Sequence, residues 1–413
     1  MGVPFDDVVL IEHGKSSGEP TVVTVNCPDK AGLGCDLCRT ILEFGLHVTR
    51  GDFSTDGKWC YIVLYVAARP SSSTVDWGSL KTRLLSACPS PLISFYFNQQ
   101  SNASSPPVLY LLKVFALDRT GLLHDVTKVL CELDMCIHRV KVMTTPDGKV
   151  LDLFFITDGM DLLHTKDRRE RTCKHLSLTL DEYCISCELQ LAGPEYDQKG
   201  FSSISPLVAE KLFSCETSSE VLSSDIKVKK AVVTMDNLLS PAHTLLQIHC
   251  RDQKGIFYDI LRTSKDCEIQ IAHGRISSSV KGFRNMDLLI RKTDGRKILD
   301  EDYLAAFCSR LEEEMLHPLR VTIASFGPDT ELLVANPVEL SGEGRPRVFY
   351  DVTFALRTLG ICVFSAEIGR HSTSDCQWEV YRFRLDDSRD FPLASSRAQT
   401  AIIDRVETTL MGW

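Results

Sequence analysis

The sequence predicts an α+β protein made of four tandem βαββαβ modules, each with an antiparallel sheet that carries both helices on one face. Two observations lead to this expectation. A short motif recurs four times in one frame, and the residues after it change from helical to strand-like spacing of apolar side chains. A chain of 413 residues is also too long for one ordinary core, so several domains are expected.

The repeated motif places a loop glycine between two aspartates. It occurs at 29–36 (Asp-Lys-Ala-Gly-Leu-Gly-Cys-Asp), at 118–125 and at 252–259. A fourth copy ends at Asp351 and matches the third over Phe-Tyr-Asp, but it has Arg347 in place of the glycine. Ten and twelve residues after the second aspartate, each copy has two apolar residues whose period of two predicts a strand with one buried face.

The order of elements within a copy follows from the same patterns. In the first copy, Thr21–Asn26 is a β-branched strand, and apolar residues at helical spacing predict a helix over 33–44. Strands at Leu46–Ser54 and Trp59–Val66 then form a hairpin. Second helices are predicted near Ser79–Cys88, Asp167–Leu180 and Asp302–Leu316, and last strands at Leu92–Phe97, Ser186–Leu191 and Leu319–Ser325.

Some segments depart from this plan. Short strands at Val8–Glu12 and Val228–Met235 precede copies one and three and are candidates to pair with their first strands. Copy four ends in a helix, Ala394–Leu410, with no room for a last strand. The Ser-rich stretch 193–225, with one short helix near Leu207–Phe213, is interpreted as a linker between two halves of two modules each. The predicted domains are an extension (1–19), module one (20–98), module two (107–192), the linker (193–225), module three with its preceding strand (226–326) and a degenerate module four (329–413).

Composition excludes several classes of protein. No apolar stretch approaches the ~18 residues that span a bilayer, so no membrane association is expected. A net charge of −9 argues against a nucleic-acid partner, because binding phosphates requires a basic face. The sixteen cysteines are interpreted as reduced, since many lie in apolar runs and no secretory signal is evident. The expected location is the cytoplasm, with the nucleus left open.

The chemistry of the motif suits a zwitterion. A glycine allows a backbone turn with positive φ, and the first turn of a helix presents amide groups that attract a carboxylate. The second aspartate could accept a hydrogen bond from an ammonium group. The purely structural interpretation stays open, because an aspartate in the first turn stabilises a helix by itself.

The motif, placed after a strand and at the start of a helix, resembles that of ACT domains. Four copies without an enzyme domain are similar to the plant ACT-domain-repeat proteins. The resemblance implies tandem ferredoxin-like modules, an amino-acid ligand held between modules, and a regulatory role without catalysis or cofactor. The positions that carry over as ligand-binding residues are Asp29, Gly32, Asp36, Asp118, Gly121, Asp125, Asp252, Gly255 and Asp259. In copy four Asp351 carries over alone.

Two catalytic or metal-based alternatives have weak support. His124-Asp125 is the dipeptide of metal-dependent phosphohydrolases, but the aspartate belongs to the repeat and the preceding residue varies among copies. Cys35 and Cys38 have redox-motif spacing, yet they fall within a helix beside its apolar face. No metal site is predicted. The remaining alternative is an interaction scaffold that keeps the fold and uses exposed sheet edges to pair with another protein or with a second copy of the chain.

Overall fold

The computed structural model describes residues 8–14, 16, 18–68, 75–89, 108–193, 206–213, 231–326, 329–340, 342–373, 376–386, 393 and 395–412. The chain divides into two compact units. Unit 1 comprises residues 1–103 and 221–318, and unit 2 comprises residues 104–220 and 319–413.

The described residues form sixteen strands and nine α-helices. The strands are β1 (Val9–Glu12), β2 (Thr21–Pro28), β3 (Leu46–Thr55), β4 (Trp59–Ala68), β5 (Tyr110–Leu117), β6 (Met135–Thr144), β7 (Lys149–Asp158), β8 (Cys184–Leu191), β9 (Val232–Asp236), β10 (Thr244–Arg251), β11 (Ile269–Ile276), β12 (Phe283–Lys292), β13 (Arg320–Phe326), β14 (Asp329–Pro337), β15 (Val363–Ser372) and β16 (Gln377–Leu385). The helices are α1 (Leu33–Glu43), α2 (Trp77–Ala87), α3 (Leu122–Glu132), α4 (Lys166–Leu180), α5 (Pro206–Phe213), α6 (Ile256–Asp266), α7 (Glu301–Leu316), α8 (Val348–Thr358) and α9 (Ser396–Met411).

Unit 1 contains modules one and three on one antiparallel sheet, with strand order β1-β2-β4-β3-β11-β12-β10-β9. The modules meet where β3 pairs with β11, from Ser54 opposite His273 to Gly51 opposite Ile276. Alternate strand residues and the apolar faces of α1, α2, α6 and α7 form one continuous core. This shared core makes the two modules one folded body.

Unit 2 repeats the arrangement with modules two and four, in the order β13-β14-β16-β15-β6-β7-β5-β8. Here β15 pairs with β6, with Ala366 opposite Val142. Helix α5 forms a small separate cluster with β14 and β16, in which Leu212 packs with Leu333 and Trp378. Strand β14 is therefore buried on both faces along most of its length.

The α+β, ferredoxin-like fold class is confirmed, as are the short strands before modules one and three. Strand β1 pairs with β2, and β9 pairs with β10, so each supplies an outer strand of its module. In module two the predicted last strand, β8, takes this outer place beside β5. The strand expected at 92–97 lies outside the described residues.

Two expectations were wrong. The strand expected to close module three, β13, pairs with β14 and is the outer strand of module four. The chain also does not form two contiguous halves, because module one pairs with module three and module two with module four. The alternation of apolar residues specifies which face of a strand is buried, but it does not specify which edges meet.

Candidate functional site

The motif glycines adopt the conformation that the sequence requires. Gly32, Gly121 and Gly255 have φ of 79°, 82° and 76° and immediately precede α1, α3 and α6. Arg347 takes the same left-handed conformation before α8, with φ 63°. A side chain there is strained by roughly 1 kcal/mol, so module four keeps the turn at a cost.

A cavity of about 210 Å³ lies in unit 1 between the motif loop of module one and the facing residues of module three. Module one contributes Asp29 and Gly32, and module three contributes Lys265 and Gln270. Apolar side chains make up most of the remaining wall: Leu33, Phe53, Ile62, Leu261, Ile269 and Ile271.

The second motif aspartate, Asp36, does not line this cavity. Its two carboxylate oxygens accept from Lys30 Nζ of its own loop at 2.9 Å and from Lys265 Nζ of module three at 3.0 Å. Both lysines line the cavity. Asp36 therefore fixes two cationic groups at the cavity wall and ties the two modules together.

The first motif aspartate does face the cavity. Asp29 Oδ2 accepts from Thr55 Oγ1 at 2.6 Å and from Gln270 Nε2 of module three at 2.8 Å. Gln270 accepts in turn from Arg291 Nε at 3.0 Å. The carboxylate is thus oriented from both modules, and the cavity presents groups of both charge signs beside an apolar floor.

A glycine within the motif provides the space. Gly34 stands in the first turn of α1, where the other three modules have Leu123, Phe257 and Phe349. A Cβ atom on Gly34 would lie 3.3 Å from the Phe53 ring and 3.7 Å from Leu261. Module one therefore has open volume where the other modules have a bulky side chain.

The corresponding place in unit 2 is much smaller, about 20 Å³. Asp118 and Gly121 line it, whereas Asp125 lies behind and pairs with Arg119 at 2.6 Å and with Arg357 of module four. The pattern of one aspartate held by a cation from each module is therefore the same in both units.

In module three, the side chain of Arg284 fills the space beside the motif loop. The Arg284 side chain is 2% exposed, forms an ion pair with Asp252 and donates to the Thr49 carbonyl of module one at 2.6 Å. Its guanidinium lies 4.9 Å from the centre of the Phe257 ring. The strand registers of the two modules make Arg284 the counterpart of Cys60 in module one. Cys60 lines the open cavity. Gly255 shapes this loop, and Asp259 is buried.

The residues behind the catalytic and redox alternatives are packed into cores. His124 lies between α3 and α8, with Nδ1 3.4 Å from Thr353 Oγ1, and burial is the main cause that lowers its pKa to about 4. Burial raises the pKa of the Cys38 thiol to about 12, which disfavours the reactive thiolate. In the part of the chain that the structure describes, no group of three or more His, Cys, Asp or Glu residues is placed to hold a metal ion. None of the described helices has the length and apolarity to cross a membrane.

Several residues that shape these sites lie outside the predicted set: Gly34, Asp152, Lys265, Arg284 and Arg357. Two of them could have been recognised from the sequence. Asp152 and Arg284 occupy inward-facing positions of strands whose other inward residues are apolar, and a charge in such a position is rarely tolerated without a function or a partner. Lys265 and Arg357 come from the partner module and required knowledge of the pairing.

Paired ferredoxin-like sheets, with glycine loops facing the contact between modules, define a tandem ACT-domain protein. Family models agree: "ACT domain-containing protein ACR10, N-terminal" matches residues 11–89, "ACR9-like, ACT-like domain" matches 232–329, and "ACT domain-containing protein ACR9, C-terminal" matches 330–412. The chain is 67% identical over 414 residues to the Arabidopsis thaliana protein "ACT domain-containing protein ACR9", with both chains covered completely. It is 48% identical over 419 residues to "ACT domain-containing protein ACR10" of the same plant, again over all of both chains. The chain belongs to the plant ACT-domain-repeat family.

Proposed function

We propose that the protein is a non-catalytic regulatory sensor that binds an amino acid in the cavity of unit 1. The observation that carries this proposal is the open volume of about 210 Å³ at the contact of modules one and three, next to a motif loop. Such a cavity, mostly apolar with a few convergent polar groups, has the usual character of a small-molecule site.

The charges in the cavity suit the head group of an amino acid. Lys30, Lys265 and the start of α1 would receive the carboxylate, because cations and unpaired helix amides favour an anion. Asp29 would receive the ammonium group. The apolar floor favours a ligand with an apolar side chain over a charged one.

Binding would act on the relation between the two modules. Lys265 and Gln270 belong to module three, whereas Asp29 and Lys30 belong to module one. A ligand that contacts both modules favours the conformation in which they are close. The shift in this conformational equilibrium is as large as the difference in the ligand's binding free energy between the two conformations. We therefore expect regulation through the cavity of modules one and three, with the site around Asp252 kept as a structural position occupied by Arg284.

Replacing Gly34 with leucine is expected to abolish binding while preserving the fold. Leucine is the residue of module two at this position, and it would fill the cavity beside Phe53. Removing a glycine from a helix also gains roughly 0.5–1 kcal/mol, which offsets local crowding. The measurement is a thermal-shift screen of the full chain against the twenty amino acids, since a ligand of the folded state raises the midpoint by mass action.

The matched control is Gly78→Leu. Gly78 occupies the same second position of a helix, α2, in the same module and does not line the cavity. We expect the control to keep the ligand-induced shift that Gly34→Leu loses. A shift that survives in Gly34→Leu would place binding elsewhere, and no shift with any amino acid in the unmodified chain would favour the scaffold alternative.

A further inference from the structure

Three cysteines of module one lie together in the core of unit 1. Cys27, near the end of β2, and Cys60, on β4, are directly opposite each other in the strand register, and their sulfur atoms are 3.6 Å apart. The third, Cys88, directly follows α2 and packs against the same core. Its thiol forms a hydrogen bond with that of Cys27. The Cys27 thiol is therefore in contact with two others, and small movements would bring either pair to the S–S length of about 2.05 Å in a disulfide bond.

The three thiols differ in their access to solvent and in their surrounding charge. Cys27 is fully buried and Cys60 is 4% exposed, whereas Cys88 is partly exposed. The hydrogen bond from Cys27 lowers the pKa of the Cys88 thiol, and the positive charge of Lys30 lowers it further, against the opposing effect of burial. Hydrogen bonds to Cys60 and Cys88, together with burial, raise the pKa of Cys27. Because the thiolate is the nucleophile, Cys88 is the thiol of this cluster that reacts first with an oxidant.

We propose that Cys88 and Cys27 form a reversible disulfide when the protein meets hydrogen peroxide, with Cys88 as the attacking and Cys27 as the resolving residue. A partly exposed thiolate beside a second thiol is the usual arrangement of a redox-sensitive cysteine. The contact of Cys27 with Cys88 supplies this arrangement within one module. This redox chemistry is independent of the amino-acid ligand proposed above.

Two displacement steps at sulfur account for the product. The Cys88 thiolate attacks one oxygen of the peroxide, so that an S–O bond forms and the O–O bond breaks. The departing hydroxide takes up a proton from solvent and becomes water. The sulfur of Cys27 then attacks the sulfur of the Cys88 sulfenic acid, so that the S–S bond forms and the S–O bond breaks. The hydroxyl group leaves with the proton of the Cys27 thiol as a second water, so the two thiols lose two electrons and one peroxide gains them.

The disulfide joins the end of α2 to the end of β2. Cys27 stands two residues before Asp29 of the motif loop, so the bond fixes helix α2 next to this loop. The segment that it closes, residues 27–88, contains α1, β3, β4 and α2. A cross-link of this span stabilises the folded state mainly by restricting the unfolded chain. We therefore expect oxidation to raise the melting midpoint of the protein.

Peptide mapping by mass spectrometry tests the proposal on the full chain. The reduced protein is treated with hydrogen peroxide, its remaining thiols are alkylated, and disulfide-linked peptides are identified with and without later addition of dithiothreitol. We expect a link between Cys27 and Cys88 that dithiothreitol removes, and a melting midpoint several degrees higher in the oxidised protein. The Cys88→Ser variant should form any disulfide at Cys27 at least tenfold more slowly, because the attacking thiolate is absent.

The matched control is Cys308→Ser. Cys308 is a partly exposed cysteine of α7 in the same unit and packs against the same core. Burial raises the pKa of its thiol to about 11, so it does not supply a thiolate near neutral pH. We expect this variant to form the link between Cys27 and Cys88 at the rate of the unmodified chain.

A further variant, Cys27→Ala, keeps the attacking thiol and removes the resolving one. In this variant the sulfenic acid on Cys88 should persist and be labelled by dimedone, and the melting midpoint checks that the variant is folded. Three results would overturn the proposal: no disulfide at Cys27 in the unmodified chain, a link between Cys27 and Cys60 in its place, or an equal rate of linkage in Cys88→Ser. The first two results are obtained without any substitution, so they do not depend on the folding of a variant.

Discussion

Unfolding of the ligand-free chain is expected to become easier as the pH rises from 5 to 8, by on the order of 4 kcal/mol in unit 2, and Asp152→Asn should remove this decline. Burial is the main cause that raises the pKa of the Asp152 carboxyl from 3.8 to about 8 in the folded state, and the neighbouring Asp118 adds to it. Between these values the folded state holds a proton that the unfolded state has lost. Stability is therefore complete below about pH 4 and falls as the pH approaches 8.

Urea denaturation at pH 5 and pH 8, with hydrogen exchange to assign the transition to unit 2, measures this effect. The control is Asp167→Asn, which changes an exposed aspartate of the same unit, in the first turn of α4. That variant should follow the unmodified chain at both pH values. An equal decline in Asp152→Asn would mean that Asp152 is already ionised in the folded protein.

The second large effect is expected at Arg284. Its replacement by methionine, which keeps much of the apolar stem, should destabilise unit 1 by about 3–5 kcal/mol, because Asp252 is left as an unpaired charge in a nearly buried site. The Thr49 carbonyl would lose a donor as well. Adding Asp252→Asn to this variant should recover part of the loss, since both charges are then absent.

Arg275 offers a matched control on the same sheet. It also pairs with an aspartate, Asp52 of module one, but its side chain is 78% exposed. Arg275→Met is expected to change stability by less than about 1 kcal/mol, as for other exposed ion pairs. If the two methionine variants unfold at the same urea concentration, Arg284 is not the stabilising element described here.

The elements within each module were predictable because their causes are local. Apolar spacing marked α1, the hairpin of β3 and β4 followed from alternation, and the motif glycines marked left-handed turns before α1, α3 and α6. The pairing of sheet edges was not predictable, because the alternation of apolar residues in β3 and β11 would fit any of several neighbouring strands. The place of β13 had a local clue: the Gly-Pro sequence between β13 and β14 is typical of a turn between adjacent strands.

The candidate site, like the fold, was predictable only where its causes are local. The loops with Asp29, Gly32, Asp118 and Gly121 could be located from the motif, and they line the two cavities. Whether a loop faces open space depends on residues that vary among the copies. Gly34 opens one site and Arg284 fills another, and the effect of each follows only from its neighbours in the partner module.

The pairing of module one with module three, and of module two with module four, has a consequence for biosynthesis. Strand β3 is made early, but its neighbour β11 begins more than 200 residues later in the chain. At roughly 5–20 residues per second, the ribosome needs about 10–40 seconds to supply it. From the synthesis of β6 until that of β11, the edges of β3 and β6 are both unpaired and both attached to the same nascent chain, so we expect their premature association to be the main competitor of correct assembly.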